Sequence, residues 1–286
     1  MSVLGTGTAN GGISVLHAAG LGKGCSVGIE LKCEVRLVEG ETSPSDEHGL
    51  LEAVMQVWAE SGYPRFDDAG WEIDSEIPIG QGLKSSSALA CAALKALDQA
   101  SWTGLSDYEI VDMAVEAQIR AGCTITGSMD DAWAAISVGW KLVDPSVPAR
   151  ESVLMEGDLE EDLEVIIGLR GHRATSADSI EFKSQTKLFE RALASLSNGS
   201  LLSAISTNGM AVSAAMNDDD SLRLCNSLIV RGALAAGISG SGPAVAAICL
   251  TGSEDAAEIL KDSCEQVVRT RIIRQLGIEE EVDGWE

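Results

Sequence analysis

A short segment of the chain combines glycines, a lysine and serines. Its residues, in order, are Pro78, Ile79, Gly80, Gln81, Gly82, Leu83, Lys84, Ser85, Ser86, Ser87 and Ala88. Glycine lets backbone N–H groups approach an anion closely, while lysine adds a cation and serine adds hydroxyls for phosphate or Mg²⁺. This combination predicts a site for a phosphate-bearing ligand. The alternative is an ordinary loop in which a serine caps a helix.

The segment lies between two predicted elements. Residues 71–77 alternate in hydrophobicity, which predicts a strand, and residues 88–97 are rich in helix formers. The first N–H groups of a helix have no partner within it, and the helix dipole favours an anion there. Strand, glycine loop and helix together therefore favour the phosphate site. The common P-loop requires glycine directly before its Lys-Ser pair, whereas Leu83 precedes Lys84 here.

Two adjacent carboxylates, Asp130 and Asp131, follow a segment rich in glycine and hydroxyl groups, residues 121–129. A carboxylate beside a phosphate site can accept the proton of an attacking hydroxyl group, which is general base chemistry. Neighbouring residues of a helix point to different faces, so one of the two is expected to face the site. The alternative is a helix N-terminus whose acidic residues complement the dipole.

Three further segments carry candidate binding residues. Lys23 lies between two glycines, and Gly240 and Ser241 belong to a glycine- and serine-rich turn before a predicted strand. Arg170 and Arg173 follow another predicted strand, and a guanidinium can bind a carboxylate substrate through two hydrogen bonds. The alternatives are a surface turn with an exposed lysine, a tight helix-to-strand turn and a solvated basic loop.

These motifs carry a family resemblance. Residues 78–86 resemble the Pro-x-x-x-Gly-Leu-x-Ser-Ser nucleotide loop of the GHMP small-molecule kinases, which include galactose, homoserine and mevalonate kinases. The version Gly-Leu-Lys-Ser-Ser-Ser-Ala is similar to the archaeal-type shikimate kinases. Residues 124–132 are similar to their Thr-x-Thr-Gly-Ala-Phe-Asp-Asp-Ala signature, with Ser128 and Met129 in place of Ala and Phe. The turn at residues 237–243 resembles the third GHMP motif.

The resemblance implies an α+β fold with the two domains of GHMP kinases. Residues 1–148 would form the ATP-binding domain, which resembles ribosomal protein S5 domain 2, and residues 149–286 would form a ferredoxin-like domain. The polar segment Asp144–Pro148 is the predicted boundary. From the pattern of elements alone, the second half predicts an antiparallel sheet with helices on one face.

The resemblance also implies an activity, the transfer of the γ-phosphoryl group of ATP to the 3-hydroxyl of shikimate, on the route to chorismate. Asp130 would accept the hydroxyl proton, Lys23 would lie near the acceptor, and Ser86 would hold Mg²⁺. Glu116 is a further candidate for Mg²⁺, although its spacing to Asp130 differs from the family pattern. Arg170 or Arg173 would bind the shikimate carboxylate.

Other functions remain open at this point. The chain could be a kinase of the homoserine or mevalonate type, because the loop by itself names only the nucleotide. It could also be a sensor of the same fold that binds ATP or another ligand without catalysis. An α/β binding protein without a nucleotide is the third alternative.

Composition limits the class of protein. The 286 residues carry a net charge of −24, which argues against nucleic acid and anionic membranes as partners. The excess of acidic residues predicts that salt affects stability. No apolar run is long enough to span a membrane, and the N-terminus lacks the pattern of a secretory signal. The seven cysteines form no Cys-x-x-Cys pair, which favours buried thiols in a reducing cytoplasm.

Overall fold

Two antiparallel sheets organise the chain, as seen in a computed structural model. The structure describes residues 2–40, 42, 44, 46, 48–159, 162–171 and 181–274. The elements of the first half are β1 (Val3–Leu16), α1 (Ala18–Leu21), β2 (Gly24–Glu39), α2 (Leu50–Glu60), β3 (Ala69–Ser75), α3 (Ser85–Ser101), α4 (Asp107–Arg120), α5 (Asp130–Ile136), β4 (Trp140–Val143), α6 (Ala149–Ser152) and β5 (Val153–Gly157).

The first sheet is built around the long strand β2. It pairs with β1 along one edge and with β3 and β4 along the other, and β5 extends the sheet beyond β4. The predicted strand and helix on either side of the phosphate loop are confirmed as β3 and α3. Ser106 and Glu109 form the reciprocal capping box that begins α4.

The glycines of β1 bring α3 close to the sheet. A Cβ atom at Gly7 would lie 2.0 Å from the carbonyl oxygen of Ala92, and one at Gly5 would lie 2.2 Å from that of Ala96. The strand and helix backbones therefore touch directly, which any larger side chain would prevent. This contact fixes the N-terminal end of α3, and with it the phosphate loop, against β1.

The second half folds around a four-stranded sheet. It begins with β6 (Leu163–Leu169). After a 3₁₀ turn (Phe182–Gln185) come α7 (Thr186–Ser197), α8 (Leu201–Met216), α9 (Asp219–Val230), β7 (Ala235–Ile238), β8 (Val245–Leu250), α10 (Glu254–Ser263) and β9 (Gln266–Arg271). The strand order is β7-β8-β6-β9, with every pair antiparallel. The predicted α+β class and the predicted antiparallel sheet are therefore confirmed.

The two faces of this second sheet pack differently. Ile166 belongs to a cluster with side chains of α9 and α10. Val165 and Ile167 point the other way, into a larger core that also contains the side chains of the first sheet. A bridge between Ile29 and Ile272 links the two sheets directly. The two halves thus share one core, and their loops meet at its edge.

The boundary after residue 148 stays a prediction. Val153–Gly157 pairs with β4 and continues the first sheet past that point. This pairing favours a boundary after Gly157, ahead of β6. Within the described residues, no helix has the length and apolar character needed to cross a bilayer.

Candidate active site

A cleft of about 470 Å³ opens where the loops of the two halves meet. The first half contributes the phosphate loop, the start of α3, Gln118 of α4, the segment 122–126 and Asp131 of α5. Gly240 and Ser241 come from the second half, and His17 and His48 complete the lining. The predicted phosphate loop, acidic pair and glycine-serine turn therefore come together, although they are far apart in the sequence.

The phosphate loop owes its shape to two glycines with positive φ. Gly80 has φ 71° and Gly82 has φ 77°, a region that glycine adopts without strain. A Cβ atom at Gly82 would lie 2.1 Å from the carbonyl oxygen of Ser239. The Ser239 hydroxyl donates to the carbonyl of Gly82 at 2.8 Å. The two glycine loops are thus in backbone contact, and glycine is required at position 82 for both conformation and space.

The N-terminus of α3 faces the cleft. Ser85 and Ser86 line it, while Ser87 is buried. No side chain caps this helix end, so its first N–H groups stay available to an anion. The hydroxyls of Ser86 and Ser87 both donate to Oε1 of Gln118, at 3.2 and 2.8 Å. Gln118 therefore holds the serine cluster in place from α4.

The carboxylate pair lies at the inner end of the cleft. Asp131 lines the cleft, and its side chain is 31% exposed. Asp130 lies behind it and is 4% exposed. The hydroxyl of Ser26 lies 2.7 Å from Oδ2 of Asp130 and 3.0 Å from Oδ1 of Asp131. Because a hydroxyl has one proton, Ser26 can donate to only one of the two carboxylates at a time.

Asp130 is held in an environment that favours its protonated form. Burial and the neighbouring charge of Asp131 raise the pKa of Asp130 from 3.8 to about 7, against the opposing effects of Lys84 and of hydrogen bonds from Ser128 and Ser26. A Cβ atom at Gly24 would collide with Oδ1 of Asp130, so the strand has no room for a side chain there. A carboxyl group that titrates near pH 7 can both accept and release a proton under physiological conditions.

Lys84 lies on the same side of the cleft as the carboxylates. Its Nζ is 2.8 Å from Oδ1 of Asp131 and 2.7 Å from the hydroxyl of Ser14, and its side chain is 8% exposed. Ser14 and Ser26 are directly paired across β1 and β2. The two strands thus present two hydroxyls side by side, one towards Lys84 and the other towards the aspartates.

A smaller apolar cavity adjoins the cleft. It has a volume of about 110 Å³ and shares His48, Ile79, Ser85, Ser86 and Cys123 with it. Its remaining walls come from the residues Cys33, Asp46, Leu50, Ile73, Ser75 and Leu89. An apolar recess directly beside a phosphate-binding helix end fits the base of a nucleotide.

Several predicted site residues do not line the cleft. Lys23 lies directly before β2. Its charge helps to lower the pKa of Asp144, an effect smaller than that of the two hydrogen bonds from Ser146. Glu116 lies on the exposed face of α4 and pairs with Arg120 at 2.7 Å. Gln118, half a turn further along the same helix, reaches the cleft instead. Neither Lys23 nor Glu116 lines the cleft, although Gly24, next to Lys23, contacts Asp130.

Of the two candidate arginines, the structure describes only Arg170. Both terminal nitrogens of Arg170 donate hydrogen bonds to the carboxylate of Asp218, at 2.6 and 3.0 Å. Asp218 also caps α9 by accepting from the backbone N–H of Ser221. Arg170 therefore has a structural partner and does not line the cleft. Arg173 lies outside the described residues.

Two serines on β1 and β2 and the histidine that caps α1 also contribute to the site, although no sequence motif marked them. Ser14 and Ser26 contact Lys84 and the aspartates, and the strand pattern gave no signal of this. His17 lines the cleft, and its Nδ1 accepts from the N–H of Ala19 at 3.2 Å at the start of α1. Its position directly before a small helical turn was the available signal.

Two models of one protein family match this chain, one in each half. Residues 49–139 match the family described as GHMP kinases N terminal domain, and residues 187–268 match GHMP kinases C terminal. The shikimate kinase of Thermococcus kodakarensis is 34% identical, covering 84% of this chain and 90% of that protein. The shikimate kinase of Pyrococcus abyssi is 32% identical, covering 85% of this chain and 91% of that protein.

The structure also resembles a solved kinase. The L. major mevalonate kinase in complex with R-mevalonate has a TM-score of 0.71 and 17% identity, and the match covers 95% of this chain and 96% of that one. An identity this low speaks for the fold alone. The likeness confirms the fold predicted from the motifs.

Proposed function

Since this chain belongs to the GHMP kinase family, we propose that it transfers the γ-phosphoryl group of ATP to the 3-hydroxyl of shikimate. One observation carries the proposal: an uncapped helix end and a glycine loop face the carboxylate pair Asp130 and Asp131 across one cleft. Phosphoryl transfer depends on holding the phosphate and the attacking hydroxyl in line and on stabilising charge. The choice of shikimate rests on the relatives that carry this name at 34% and 32% identity.

The residues of the cleft fit ATP. Gly80, Gly82 and the N–H groups that begin α3 form the cradle for the triphosphate, and the adjoining apolar cavity takes the base. Mg²⁺ bound with the phosphates would neutralise part of their charge. Ser86, the hydroxyl at the mouth of the loop, is the proposed protein ligand. Glu116 does not fit this role, because its carboxylate pairs with Arg120 on the outer face of α4.

The proton of the acceptor hydroxyl goes to the carboxylate pair. The family resemblance assigns this role to Asp130, whose pKa near 7 suits a general base. Asp131 is the carboxylate that lines the cleft, and the Ser26 hydroxyl lies within hydrogen-bond distance of both aspartates. We therefore assign proton acceptance to Asp130, with Asp131 and Ser26 completing the polar contact to the acceptor.

The acceptor lies between the carboxylates and the second glycine loop. Gly240, Ser241 and His17 line this part of the cleft and supply polar contacts for hydroxyl groups. Arg173 remains the proposed partner of the shikimate carboxylate. The Arg173→Ala variant should raise KM for shikimate and leave KM for ATP unchanged, whereas an unchanged KM for both would remove this assignment.

A kinase of the homoserine or mevalonate type is the second candidate, because the phosphate loop identifies the nucleotide and not the acceptor. The sensor alternative is disfavoured by the buried carboxyl group of Asp130 beside Asp131, which ligand binding alone does not require. The seven free thiols fit the reducing cytoplasm that we propose as its location.

ADP release from Mg·ATP by the purified protein tests the proposal, with shikimate, homoserine and mevalonate as acceptors. We expect turnover with shikimate only and a product heavier by one phosphoryl group. Turnover with another acceptor would keep the kinase and discard shikimate. ATP binding without turnover would favour the sensor.

A second set of assays tests the proton acceptor. Asp130→Asn should lower kcat by about 10²-fold or more, the usual contribution of a general base, with ATP binding nearly unchanged. The matched Asp131→Asn variant tests the neighbouring carboxylate. If Asp131→Asn alone abolished turnover, the base would be Asp131.

A further inference from the structure

Lys84 makes contacts that its place in a phosphate loop does not predict. Its ammonium lies 2.8 Å from Oδ1 of Asp131 and 2.7 Å from the hydroxyl of Ser14. The same hydroxyl accepts from the N–H of Gly240 at 3.2 Å. Lys84 therefore joins the phosphate loop, β1, the second glycine loop and α5 at one point.

The backbone of Lys84 is in the left-handed region, with φ 67°. Glycine adopts this conformation without strain, whereas a residue with a Cβ atom does so at a cost. The aliphatic part of the side chain then passes Gly12, where an added Cβ would lie 3.2 Å from Cγ of Lys84. The side chain ends at Asp131 and Ser14, so two contacts fix the position of the ammonium.

We propose that Lys84 is a positioning residue whose ammonium serves the carboxylate pair and not the phosphates. It holds Asp131 in place against β2 and supplies the positive charge that allows two adjacent carboxylates to be ionised together. The kinetic part of this inference rests on the proposed phosphoryl transfer, whereas its electrostatic part does not.

The surroundings of Asp130 support this role. The groups that face it are Asp131 from its own helix, the hydroxyls of Ser26 and Ser128, the buried thiol of Cys25 and the Lys84 ammonium. Lys84 is the one cation among them in the described part of the chain. Its charge opposes the effects of burial and of Asp131, both of which favour the protonated form.

Carboxyl ¹³C NMR on aspartate-labelled protein measures this effect without any turnover. The Asp130 signal is assigned from its absence in Asp130→Asn, and its titration midpoint is compared in the wild type, Lys84→Met and Lys84→Arg. An opposite charge this close shifts a carboxyl group by about one pH unit or more, so the midpoint should rise by that amount in Lys84→Met. It should stay near the wild-type value in Lys84→Arg.

Lys141 provides a matched control. Its Nζ pairs with Glu156 at 2.6 Å and its side chain is 16% exposed, but it lies outside the cleft lining. Lys141→Met should leave the Asp130 midpoint unchanged. If Lys84→Met fails to fold, Lys84→Gln is the second neutral variant, because its amide can keep a hydrogen bond to Ser14. An unchanged midpoint in a folded neutral variant would overturn the proposal.

Kinetics separate the carboxylate role from a phosphate role. In Lys84→Met the acid limb of kcat/KM should move to higher pH, with about fivefold less activity at pH 7 for a one-unit shift, while KM for ATP changes little. A large rise in KM for ATP with an unmoved pH limb would assign Lys84 to the phosphates. If the wild type does not turn over shikimate, the proposed function fails, and the NMR midpoint still decides the role of Lys84.

Discussion

Replacing Asp130 by Asn should change how the stability of the protein depends on pH. Burial and the charge of Asp131 raise the pKa of Asp130 from 3.8 to about 7. Between these values the native state holds a proton that the unfolded chain has released. The Asp130 contribution to the free energy of unfolding is therefore fully present below pH 3.8 and is lost as pH rises through 7. Asparagine does not titrate, so Asp130→Asn lacks this loss.

The size of the effect follows from the pKa difference. Each unit of pKa is worth about 1.4 kcal/mol, so the interval from 3.8 to 7 gives at most about 4 kcal/mol. The chain has an acidic isoelectric point, and measurements that begin at pH 5 keep it soluble. From pH 5 to pH 8 the free energy of unfolding of Asp130→Asn should rise, relative to the wild type, by about 3 kcal/mol.

Urea unfolding at pH 5, 6, 7 and 8, followed by tryptophan fluorescence, gives this difference directly. The effects of titrating groups that do not interact with Asp130 cancel when the variant is compared with the wild type at each pH. The lost hydrogen bonds to Ser26 and Ser128 change the free energy of unfolding by an amount that does not depend on pH. The test is therefore the slope, against pH, of the difference in free energy between the variant and the wild type.

Asp144→Asn is a control that should show no slope in this pH range. Hydrogen bonds from Ser146 and the charge of Lys23 lower the pKa of Asp144, which is partly exposed. Its contribution to stability is present above the unfolded pKa and is lost only as pH falls through the lower folded pKa, so the difference between its variant and the wild type should stay constant from pH 5 to pH 8. A flat difference between Asp130→Asn and wild type across pH 5–8 would refute the account of Asp130 given above.

Three further outcomes follow from the structure. Gly82→Ala should abolish the thermal shift produced by a non-hydrolysable ATP analogue, because its Cβ would lie 2.1 Å from the carbonyl oxygen of Ser239. Gly80 has a similar φ but open space around it, so Gly80→Ala should keep a reduced thermal shift. Arg170→Ala should lower the free energy of unfolding in urea by about 1–3 kcal/mol, because the paired hydrogen bonds to Asp218 are lost. It should leave KM for shikimate unchanged, and a raised KM would show that Arg170 binds the substrate. Because the net charge is −24, the melting temperature should rise with NaCl at pH 7.5, and a constant value from 0.05 to about 1 M would contradict this.

The local features of the fold were predictable from the sequence. The strand before the phosphate loop and the helix that follows it are both found as predicted, as β3 and α3. Each depends on hydrogen bonds or hydrophobic spacing within a few residues. Such signals depend on neighbouring residues only, so they do not change with the packing of distant parts of the chain.

Roles that depend on direction were harder to predict. Glu116 and Gln118 are two residues apart on α4, yet one faces solvent and the other reaches the serine cluster. Arg170 finds its partner in Asp218, 48 residues away in sequence. A helix or strand pattern does not reveal which distant element will cover a given face, so neither result could be derived from spacing.

The sequence by itself determined the chemistry: a glycine loop with serines at a helix start, a pair of aspartates and the family to which both belong. Only the tertiary structure decided which groups act together. It places Ser14 and Ser26 side by side, turns Lys84 towards Asp131 and leaves Lys23 outside the cleft. The reason is that the contacts of Lys84 and of the aspartates with the serines and with each other join residues from 47 to 105 positions apart. Such pairs form only when helices α3 and α5 pack against β1 and β2.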